Sequence, residues 1–361
     1  MATQTVESVT SQTGKKKLVR RLLQDRSQTI RHLMQWAFVA LNAWLGLQFY
    51  LWVRYFERGG EGLYVSRPAG VEGWLPIAGM MNTKYFLTTG RVPSIHPAAM
   101  FLFMAFVTMS LLLKKSFCSW ICPIGTVSER LWRVGRKIFQ RTFRLPRWAD
   151  LPLRSLKYLL LGFFVYVAGS LPAAALRGFM HTPYGMVADV KMLNFFREMS
   201  VTGIVVLLVL GVLSLLVQNF WCRYLCPYGA LMGLASLLSP LKIRRDAEAC
   251  IDCGKCARAC PAGLQVDRLV QIRSVECTAC MECVAACPAE HALQFAAAPR
   301  RAADVAERWR GRVAGPAATA AAILVLFLGT VAVAKATGHW QTHLPRQMYV
   351  DLVMHADEWT H

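Results

Sequence analysis

Acidic residues are scarce in this chain, and charged residues of either sign are few for its length. The 361 residues include 21 Asp and Glu against 41 Lys and Arg, which gives a formal net charge of +20. Charged residues make up 17% and hydrophobic residues 55%, whereas soluble domains carry about 25% charged residues. This composition excludes an ordinary soluble domain. It also argues against a soluble nucleic-acid binder, because membrane-length apolar blocks with basic flanks explain both numbers at once.

Several functional patterns are absent as well. We find no nucleotide-binding loop, no Ser/His/Asp arrangement and no paired carboxylates, so hydrolytic chemistry is not predicted. The 12 cysteines are about 3% of the chain, which is too few for a small scaffold held together by disulfides. The chemistry of the protein is therefore expected to lie in how those cysteines are spaced.

The chain contains several long apolar runs. Five uncharged stretches reach the roughly 20 residues that a membrane-spanning helix needs. Lys and Arg number 31 in the N-terminal segment, the second connection and the cysteine-rich segment, against 10 elsewhere. Because cytoplasmic loops are enriched in Lys and Arg, we expect a multi-pass protein of the bacterial inner membrane with a cytoplasmic N-terminus and a periplasmic C-terminus. The predicted spans are residues 32–53, 92–113, 158–176, 199–222 and 313–334.

Eight cysteines form two copies of one run. Cys250 begins the pattern C-x2-C-x2-C-x3-C-P, and the same pattern begins again 27 residues later at Cys277. Bacterial ferredoxins use this run for [4Fe–4S] clusters, and the fourth cysteine of each run ligates the other cluster. We expect two such clusters; a pair of zinc sites is the alternative, since C-x2-C also suits zinc. The expected ligands are Cys250, Cys253, Cys256 and Cys287 for cluster 1, and Cys277, Cys280, Cys283 and Cys260 for cluster 2.

The other four cysteines form a second repeat. Phe117-Cys118-Ser-Trp-Ile-Cys122-Pro123 matches Trp221-Cys222-Arg-Tyr-Leu-Cys226-Pro227, 104 residues further on. In a helix, C-x3-C places both sulfurs on one face, and two related copies could bring four thiols together. Three interpretations stay open: an additional metal or cluster site, redox-active thiols, and small buried residues that only pack.

These features define the expected fold class. It is a membrane α-helical bundle of five spans in two helix-pair repeats, joined to a small α+β bacterial-type 2[4Fe–4S] ferredoxin domain. That domain should contain short strands at 241–245 and 292–296 and a linking helix at 266–272. The expected segments are a basic cytoplasmic arm (1–31), a four-helix membrane core (32–236), the ferredoxin domain (237–298), a linker (299–312), a fifth transmembrane helix (313–334) and an extracytoplasmic tail (335–361).

Two histidines are candidates for a further contact. His96 lies just inside the second predicted span on the extracytoplasmic side, and His181 lies in the other extracytoplasmic loop. An ionisable group at membrane depth is a functional candidate by default, so either ring could contact a quinol or ligate a haem. The alternative is a histidine at a helix end whose hydrogen bonds are already satisfied.

With these motifs the chain resembles the NapH/NosR/YccM-type membrane 4Fe–4S polyferredoxins. The paired C-x3-C-P motifs followed by the double ferredoxin run carry the resemblance, and residues 86–98 and 181–185 are also similar to the family's membrane core. The chain departs from relatives in its fifth span and tail. It also lacks the large extracytoplasmic flavin-binding domain of NosR-type members.

The resemblance implies electron transfer at the membrane, between the quinone pool and a respiratory reductase or periplasmic redox partner. We expect an electron-transfer subunit or accessory protein, surrounded by membrane lipid, and not a stand-alone enzyme. Nucleic acid is not an expected partner. The alternative is an accessory factor, as in CcoG-type assembly proteins, that reduces metal ions or thiols during maturation of a metalloenzyme. A membrane redox sensor is a third hypothesis.

Overall fold

The structure is a computed structural model, and it describes residues 21, 25–141, 143, 145–297 and 313–359. Most of the expected basic arm (1–31) and all of the expected linker (299–312) therefore lie outside the described residues. The remaining segments form helices and one two-stranded sheet.

Three long helices dominate the fold. Helix α1 runs over Ser27–Glu57, a second helix over Arg147–Ser170 and a third over Pro316–Ala336. Within the part of the chain that the structure describes, these three helices are long and apolar enough to cross a membrane. Pro316 occupies the first turn of its helix, where the missing proline N–H removes no intrahelical hydrogen bond.

The other two predicted spans are shorter helices. The second run forms a helix only over Pro97–Leu113, because His96 adopts a left-handed conformation with φ of 51°. The fourth run forms a helix over Val201–Leu216, which ends before the left-handed Asn219, with φ of 52°. That helix meets the preceding one at an angle of 82°. The structure thus supports three spans by length and leaves the count of five a prediction.

Shorter elements connect and cover these helices. The helix over Pro97–Leu113 lies centrally, because it packs against the helices that precede and follow it and against Pro316–Ala336. Within the described residues, the helices in chain order are α1 (Ser27–Glu57), α2 (Pro76–Thr89), α3 (Pro97–Leu113), α4 (Ser116–Trp120), α5 (Pro123–Phe139), α6 (Arg147–Ser170), α7 (Ala173–Met180), α8 (Pro183–Met186), α9 (Ala188–Arg197), α10 (Val201–Leu216), α11 (Pro227–Ala235), α12 (Lys255–Ala259), α13 (Glu282–Ala285), α14 (Pro316–Ala336) and α15 (Arg346–Met354). A 3-10 helix lies at Ala69–Trp74 and a π turn at Trp221–Leu225.

The cysteine-rich segment is closed by a short antiparallel sheet. Strand β1 (Leu241–Arg245) pairs with β2 (Leu293–Ala297), with Ile243 opposite Phe295. Both strands lie within one residue of their predicted positions. The predicted helix at 266–272 is wrong. Its backbone runs beside β1 instead, with Arg245 N donating to Val270 O at 2.8 Å and Ile272 N donating to Ile243 O at 2.9 Å. Pairing with the strand uses the donors and acceptors that a helix would need.

One hydrophobic core joins the sheet segment to the helices. Buried Phe106 and Trp120 from the helical part belong to the same cluster as Ile243 and Phe295 from the two strands. The far end of α1 instead packs against α15, where the Trp52 and Tyr349 rings meet edge to face at 5.2 Å. The ferredoxin segment is therefore packed directly on one end of the helical bundle.

Candidate iron–sulfur centres and a cavity between the helices

Four of the eight ferredoxin-type cysteines lie together in the interior. Cys260, Cys277, Cys280 and Cys283 are 7–9% exposed, and all four line one small cavity of about 20 Å³. Three of them come from the second run and Cys260 comes from the first. Burial raises the pKa of the Cys280 thiol to about 12, so in water-free surroundings this set gains its negative charge only when a metal replaces the protons.

The remaining four ferredoxin-type cysteines lie nearer the surface. Cys253 is exposed, Cys250 and Cys287 are half-buried, and Cys256 is buried. Burial, followed by the charges of Cys250 and Cys253, raises the pKa of Cys287, so Cys287 lies beside the first run although it belongs to the second. Cys287 thus lies beside the first run and Cys260 beside the second, while the crossed ligand sets stay a prediction.

The two cysteine loops share one backbone conformation. Asp252 and Gly254 adopt left-handed conformations in the first loop, with φ of 54° and 65°. Ala279 and Met281 occupy the equivalent positions of the second loop, with φ of 50° and 58°. Non-glycine residues rarely adopt this conformation. Its repetition at matching positions shows that both loops are wound in the same way around their cysteine sulfurs.

The sulfurs of the described cysteines are spaced too widely for a tetrahedral zinc ion. Among the described residues, no three cysteine sulfurs lie within 4.8 Å of one another. A tetrahedral zinc site with Zn–S bonds of about 2.3 Å needs sulfurs only about 3.8 Å apart. An iron–sulfur cubane separates its thiolate ligands further, because each binds a different iron. Two sets of four cysteines supply the thiolate donors that [4Fe–4S] clusters use, so the residue types present fit that group.

The C-x3-C-P cysteines lie at breaks between helices. Cys118 is in α4 and Cys222 is in the π turn, whereas Cys122 and Cys226 each precede a proline that opens the next helix. Neither motif forms the single continuous helix considered above, since a proline ring cannot continue the helix that precedes it. We call these four residues the thiol quartet.

The thiol quartet is brought together in space. All four residues line one cavity. Burial raises the pKa of Cys118 to about 11 and that of Cys122 to about 12. The predicted convergence of the two motifs is thus present in the structure.

Hydrogen bonds link both motifs to the loops of the buried cysteine set. Ser119 Oγ donates to Thr278 O at 2.6 Å and Trp120 Nε1 donates to Ala279 O at 3.1 Å. From the second motif, Arg223 Nη1 donates to the carbonyl of Ala262 at 3.4 Å. The thiol quartet therefore faces the interior ferredoxin loop and not the exposed one.

The quartet opens into a long apolar cavity between the helices. The cavity has a volume of about 630 Å³ and is walled by α1, α3 and α14. Its aromatic lining includes Phe38, Phe106 and Phe327. Arg31 and Gln48 of α1 both line it, and at 1.5 Å per residue their separation along the helix is about 25 Å. A chain-like apolar molecule could lie along this length and place one end at the thiols.

A buried polar network lies near the other end of this cavity. Arg67, which lines the cavity, contacts Glu72 at 2.9 Å and Asp189 at 2.6 Å. The ring of His96 lies 3.3 Å from Glu72 Oε1 through Nδ1 and 3.0 Å from Gly185 O through Nε2.

The two candidate histidines have different surroundings. Both ring nitrogens of His96 already have partners, so a haem iron would have to displace one of them. His181 is exposed, and its Nδ1 lies 2.8 Å from Arg177 O while its Nε2 lies 3.1 Å from Ser94 Oγ. Neither histidine is among the residues that line the cavity. Sequence reasoning missed Arg67, Glu72 and Asp189, whose only signal was charge within loops that were expected to be extracytoplasmic.

A second buried ion-pair network fastens the ferredoxin segment to α1. Arg31 is 1% exposed and contacts both oxygens of Glu129, at 2.7 and 2.8 Å. Its other contact is Glu282 at 2.9 Å, in the second cysteine loop. Arg31 and its hydrogen bond hold the pKa of Glu129 at about 2 against the opposing effect of burial. Arg133 also pairs with both carboxylates.

Replacing Arg31 by glutamine is expected to loosen this attachment. Removing one partner of a buried ion pair costs about 3–5 kcal/mol, because the remaining charge is left uncompensated. Hydrogen exchange of the amides at 277–285 should therefore accelerate in R31Q. Arg133 is 28% exposed, so R133Q should change protection by no more than about 1 kcal/mol. Equal protection in both variants would show that Arg31 does not fasten the segment.

Comparisons with known proteins place this arrangement in a family. A family described as "4Fe-4S binding domain" matches residues 95–142 and again 199–246, once around each C-x3-C-P motif. A "4Fe-4S dicluster domain" matches residues 242–288. YccM of Escherichia coli strain K12, which bears the name of an electron transport protein, is 49% identical over 331 residues, covering 91% of this chain and 90% of YccM. The chain belongs to the NapH/NosR/YccM-type 4Fe–4S polyferredoxins.

More distant polyferredoxins match a smaller part of the chain. The ferredoxin-type protein NapH of Escherichia coli is 27% identical over 190 residues, which are 52% of this chain and 61% of NapH. The regulatory protein NosR of Pseudomonas aeruginosa is 31% identical over 166 residues, which are 45% of this chain and 22% of NosR. No solved structure shows significant similarity to the chain.

The family and the structure together establish the general character of this polyferredoxin. It is an iron–sulfur electron-transfer protein with helices suited to a membrane. The predicted resemblance is confirmed, and the double match of one family confirms the internal repeat of the C-x3-C-P region.

Proposed function

We propose that this polyferredoxin carries electrons between the quinone pool and a redox partner, through two [4Fe–4S] clusters. A respiratory reductase or a periplasmic protein is the partner class that fits. The observation that carries the proposal is the 630 Å³ cavity, which joins an apolar space between membrane helices to the thiol quartet and to Cys280 of the interior loop.

The ligands of the two clusters follow from the spatial grouping of the cysteines. The buried set of Cys260, Cys277, Cys280 and Cys283 would hold one cluster, and the outer set of Cys250, Cys253, Cys256 and Cys287 the other. Bound clusters supply one-electron transfer at potentials set by their surroundings. The protein residues exclude water from the buried set and leave Cys253 exposed at the surface, which gives one inner and one outer position.

The cavity offers a quinone both an apolar wall and short contacts to redox groups. Quinones combine an apolar tail with a ring that accepts hydrogen bonds, and ligand pockets are typically apolar with a few polar groups. The helices α1, α3 and α14 provide that wall. Quinol oxidation releases two electrons and two protons, and two clusters can each take one electron.

We also propose the membrane arrangement. Five spans would place the N-terminus, the thiol quartet and the ferredoxin segment on the cytoplasmic side and the C-terminus in the periplasm of a bacterial inner membrane. The shorter helices α3 and α10 would serve as the second and fourth spans. Support comes from Lys and Arg in the shorter segments, which number 7 in 1–31 and 11 in 114–157, against 5 in 54–91 and 3 in 177–198.

A variant that fills the cavity is expected to slow reduction of the clusters by quinol. Leu328 lines the cavity from α14, and Val325 lies one turn away without lining it. Both side chains are more than half exposed, at 56% and 70%, so tryptophan at either place should fit without displacing buried side chains. L328W should lower the rate of quinol-dependent cluster reduction at least tenfold, as stopped-flow absorbance under anaerobic conditions would show, while V325W should match the wild type.

The same measurement separates the two candidate functions. Clusters of the wild type that accept no electrons from quinol, in detergent or in lipid, would overturn the quinone proposal. Clusters that accept no electrons from quinol but reduce cupric ions would instead favour an accessory factor that acts on metal ions.

A further inference from the structure

The two C-x3-C-P motifs differ in one polar side chain that lines the cavity. Tyr228 follows the proline of the second motif, and its counterpart 104 residues earlier is Ile124. Both residues line the same cavity as the thiol quartet. The repeat therefore presents an aromatic hydroxyl at one of two equivalent positions and an aliphatic side chain at the other.

The ring of Tyr228 is held by aromatic neighbours. Its centroid lies 5.7 Å from that of Phe117, which it meets edge to face, and 5.8 Å from that of Phe103. Phe117 in turn stacks on Phe106 at 4.2 Å, and both of these rings line the cavity. Apolar packing thus fixes the ring of Tyr228, and the phenol oxygen is its one polar atom.

The hydroxyl of Tyr228 is available to a ligand. In the part of the chain that the structure describes, this hydroxyl forms no hydrogen bond, and the residue is only half-buried where it meets the cavity. Tyrosine hydroxyls in apolar surroundings usually have a hydrogen-bond partner. A phenol keeps its proton at neutral pH, so the partner that fits this position is an acceptor.

An acceptor without a partner lies in the same cavity wall. The side-chain oxygen of Asn219 is buried and has no hydrogen-bond partner among the described residues, and Asn219 lines the cavity. Its backbone is left-handed, with φ of 52°, a conformation that asparagine adopts more readily than most residues. The second repeat thus supplies a donor and an acceptor. The aligned residues of the first repeat, Ile124 and Lys115, have no side-chain acceptor.

We propose that Tyr228 and Asn219 bind the ring oxygens of a quinone, with its tail along the apolar length of the cavity. This inference rests on the proposed quinone function and assigns its head-group site. The Tyr228 hydroxyl donates a hydrogen bond to a carbonyl oxygen of the quinone, and a hydroxyl of the quinol donates one to Asn219 Oδ1. Neither residue gains or loses a proton or an electron in this role. Apolar walls strengthen both hydrogen bonds, because little water competes for them.

Replacing Tyr228 by phenylalanine tests the donor, since it removes only the hydroxyl and keeps the ring that packs on Phe103 and Phe117. In full-length protein purified anaerobically, Y228F should raise the quinol concentration for half-maximal cluster reduction about three- to tenfold, as expected for one lost hydrogen bond. The maximal rate and reduction by dithionite should stay unchanged. I124V trims the aligned side chain of the first repeat and should match the wild type.

Two further measurements do not depend on the folding of Y228F. N219G suits the left-handed backbone and removes the acceptor, so it should raise the same quinol concentration about three- to tenfold. In the wild type, a naphthoquinone with a decyl tail should compete with quinol at least about tenfold better than decylnaphthalene, which lacks both ring oxygens. Y228F should narrow that preference.

The outcomes separate this site from the proposed function. Equal half-maximal quinol concentrations in the wild type, Y228F and N219G would overturn the head-group site, and quinol-dependent reduction in all three would show that the function survives. A wild type that does not prefer the naphthoquinone over decylnaphthalene would also overturn the site. Wild-type clusters that dithionite reduces and quinol does not would overturn the proposed function and this site together.

Discussion

Replacing Cys283 by serine is expected to abolish electron exchange between the ferredoxin segment and the membrane cavity. Cys283 is 7% exposed and shares a cavity with Cys260, Cys277 and Cys280. Losing one ligand of this set should remove the proposed cluster that would lie nearest the thiol quartet. It also leaves three buried cysteines without the metal that would organise them, and metal binding contributes directly to the folding of small domains.

A substitution in the outer cysteine set serves as the control for C283S. C253S removes an exposed ligand and should cost about four irons while the interior cluster is still reduced by quinol. C283S should leave no cluster that quinol reduces. Iron analysis and electron paramagnetic resonance after anaerobic addition of quinol distinguish the two variants. If C253S blocked reduction and C283S did not, the order of inner and outer clusters would be reversed.

The ferredoxin segment was the most predictable part of the chain. Cysteine spacing is fixed by the geometry of the cluster, so C-x2-C-x2-C-x3-C-P carries three-dimensional information in a short window. The crossed grouping of Cys260 and Cys287 agrees with it. The prediction of a helix at 266–272 was wrong because a short apolar stretch does not distinguish a helix from an extended segment. Here the backbone hydrogen bonds of Val270 and Ile272 to β1 hold the segment in an extended conformation.

The helical part was predictable in content and less so in boundaries. Apolar runs identified the membrane segments, yet α6 begins at Arg147, well before the predicted start at 158, and ends before Pro172. Hydropathy records where residues are apolar, whereas helix ends depend on prolines and left-handed residues such as His96. The role of Glu72 could not be predicted, because its burial and its contacts with Arg67 and His96 arise between distant segments.

Gly125 and Gly229 occupy equivalent positions in the two C-x3-C-P motifs, but only Gly125 is expected to be intolerant of a side chain. A methyl group at Gly125 would lie 2.2 Å from the backbone oxygen of Cys118. At Gly229 the corresponding distance, to the oxygen of Cys222, is 3.6 Å. The first motif is wound as an α-helical turn and the second as a wider π turn, which accounts for the difference.

G125A should therefore separate α5 from α4 and disperse the thiol quartet, since the neighbouring atom is backbone and cannot rotate away. Overpacking of this kind costs about 1–3 kcal/mol or more. In detergent, G125A should show a lower thermal midpoint and should lose any iron beyond the two ferredoxin clusters, while G229A should keep both. Because the two variants differ only in which copy of the repeat receives the methyl group, equal behaviour would mean that the α and π windings do not distinguish the motifs. Selective loss in G125A would instead show that the narrow turn at Cys118 sets the geometry of the quartet.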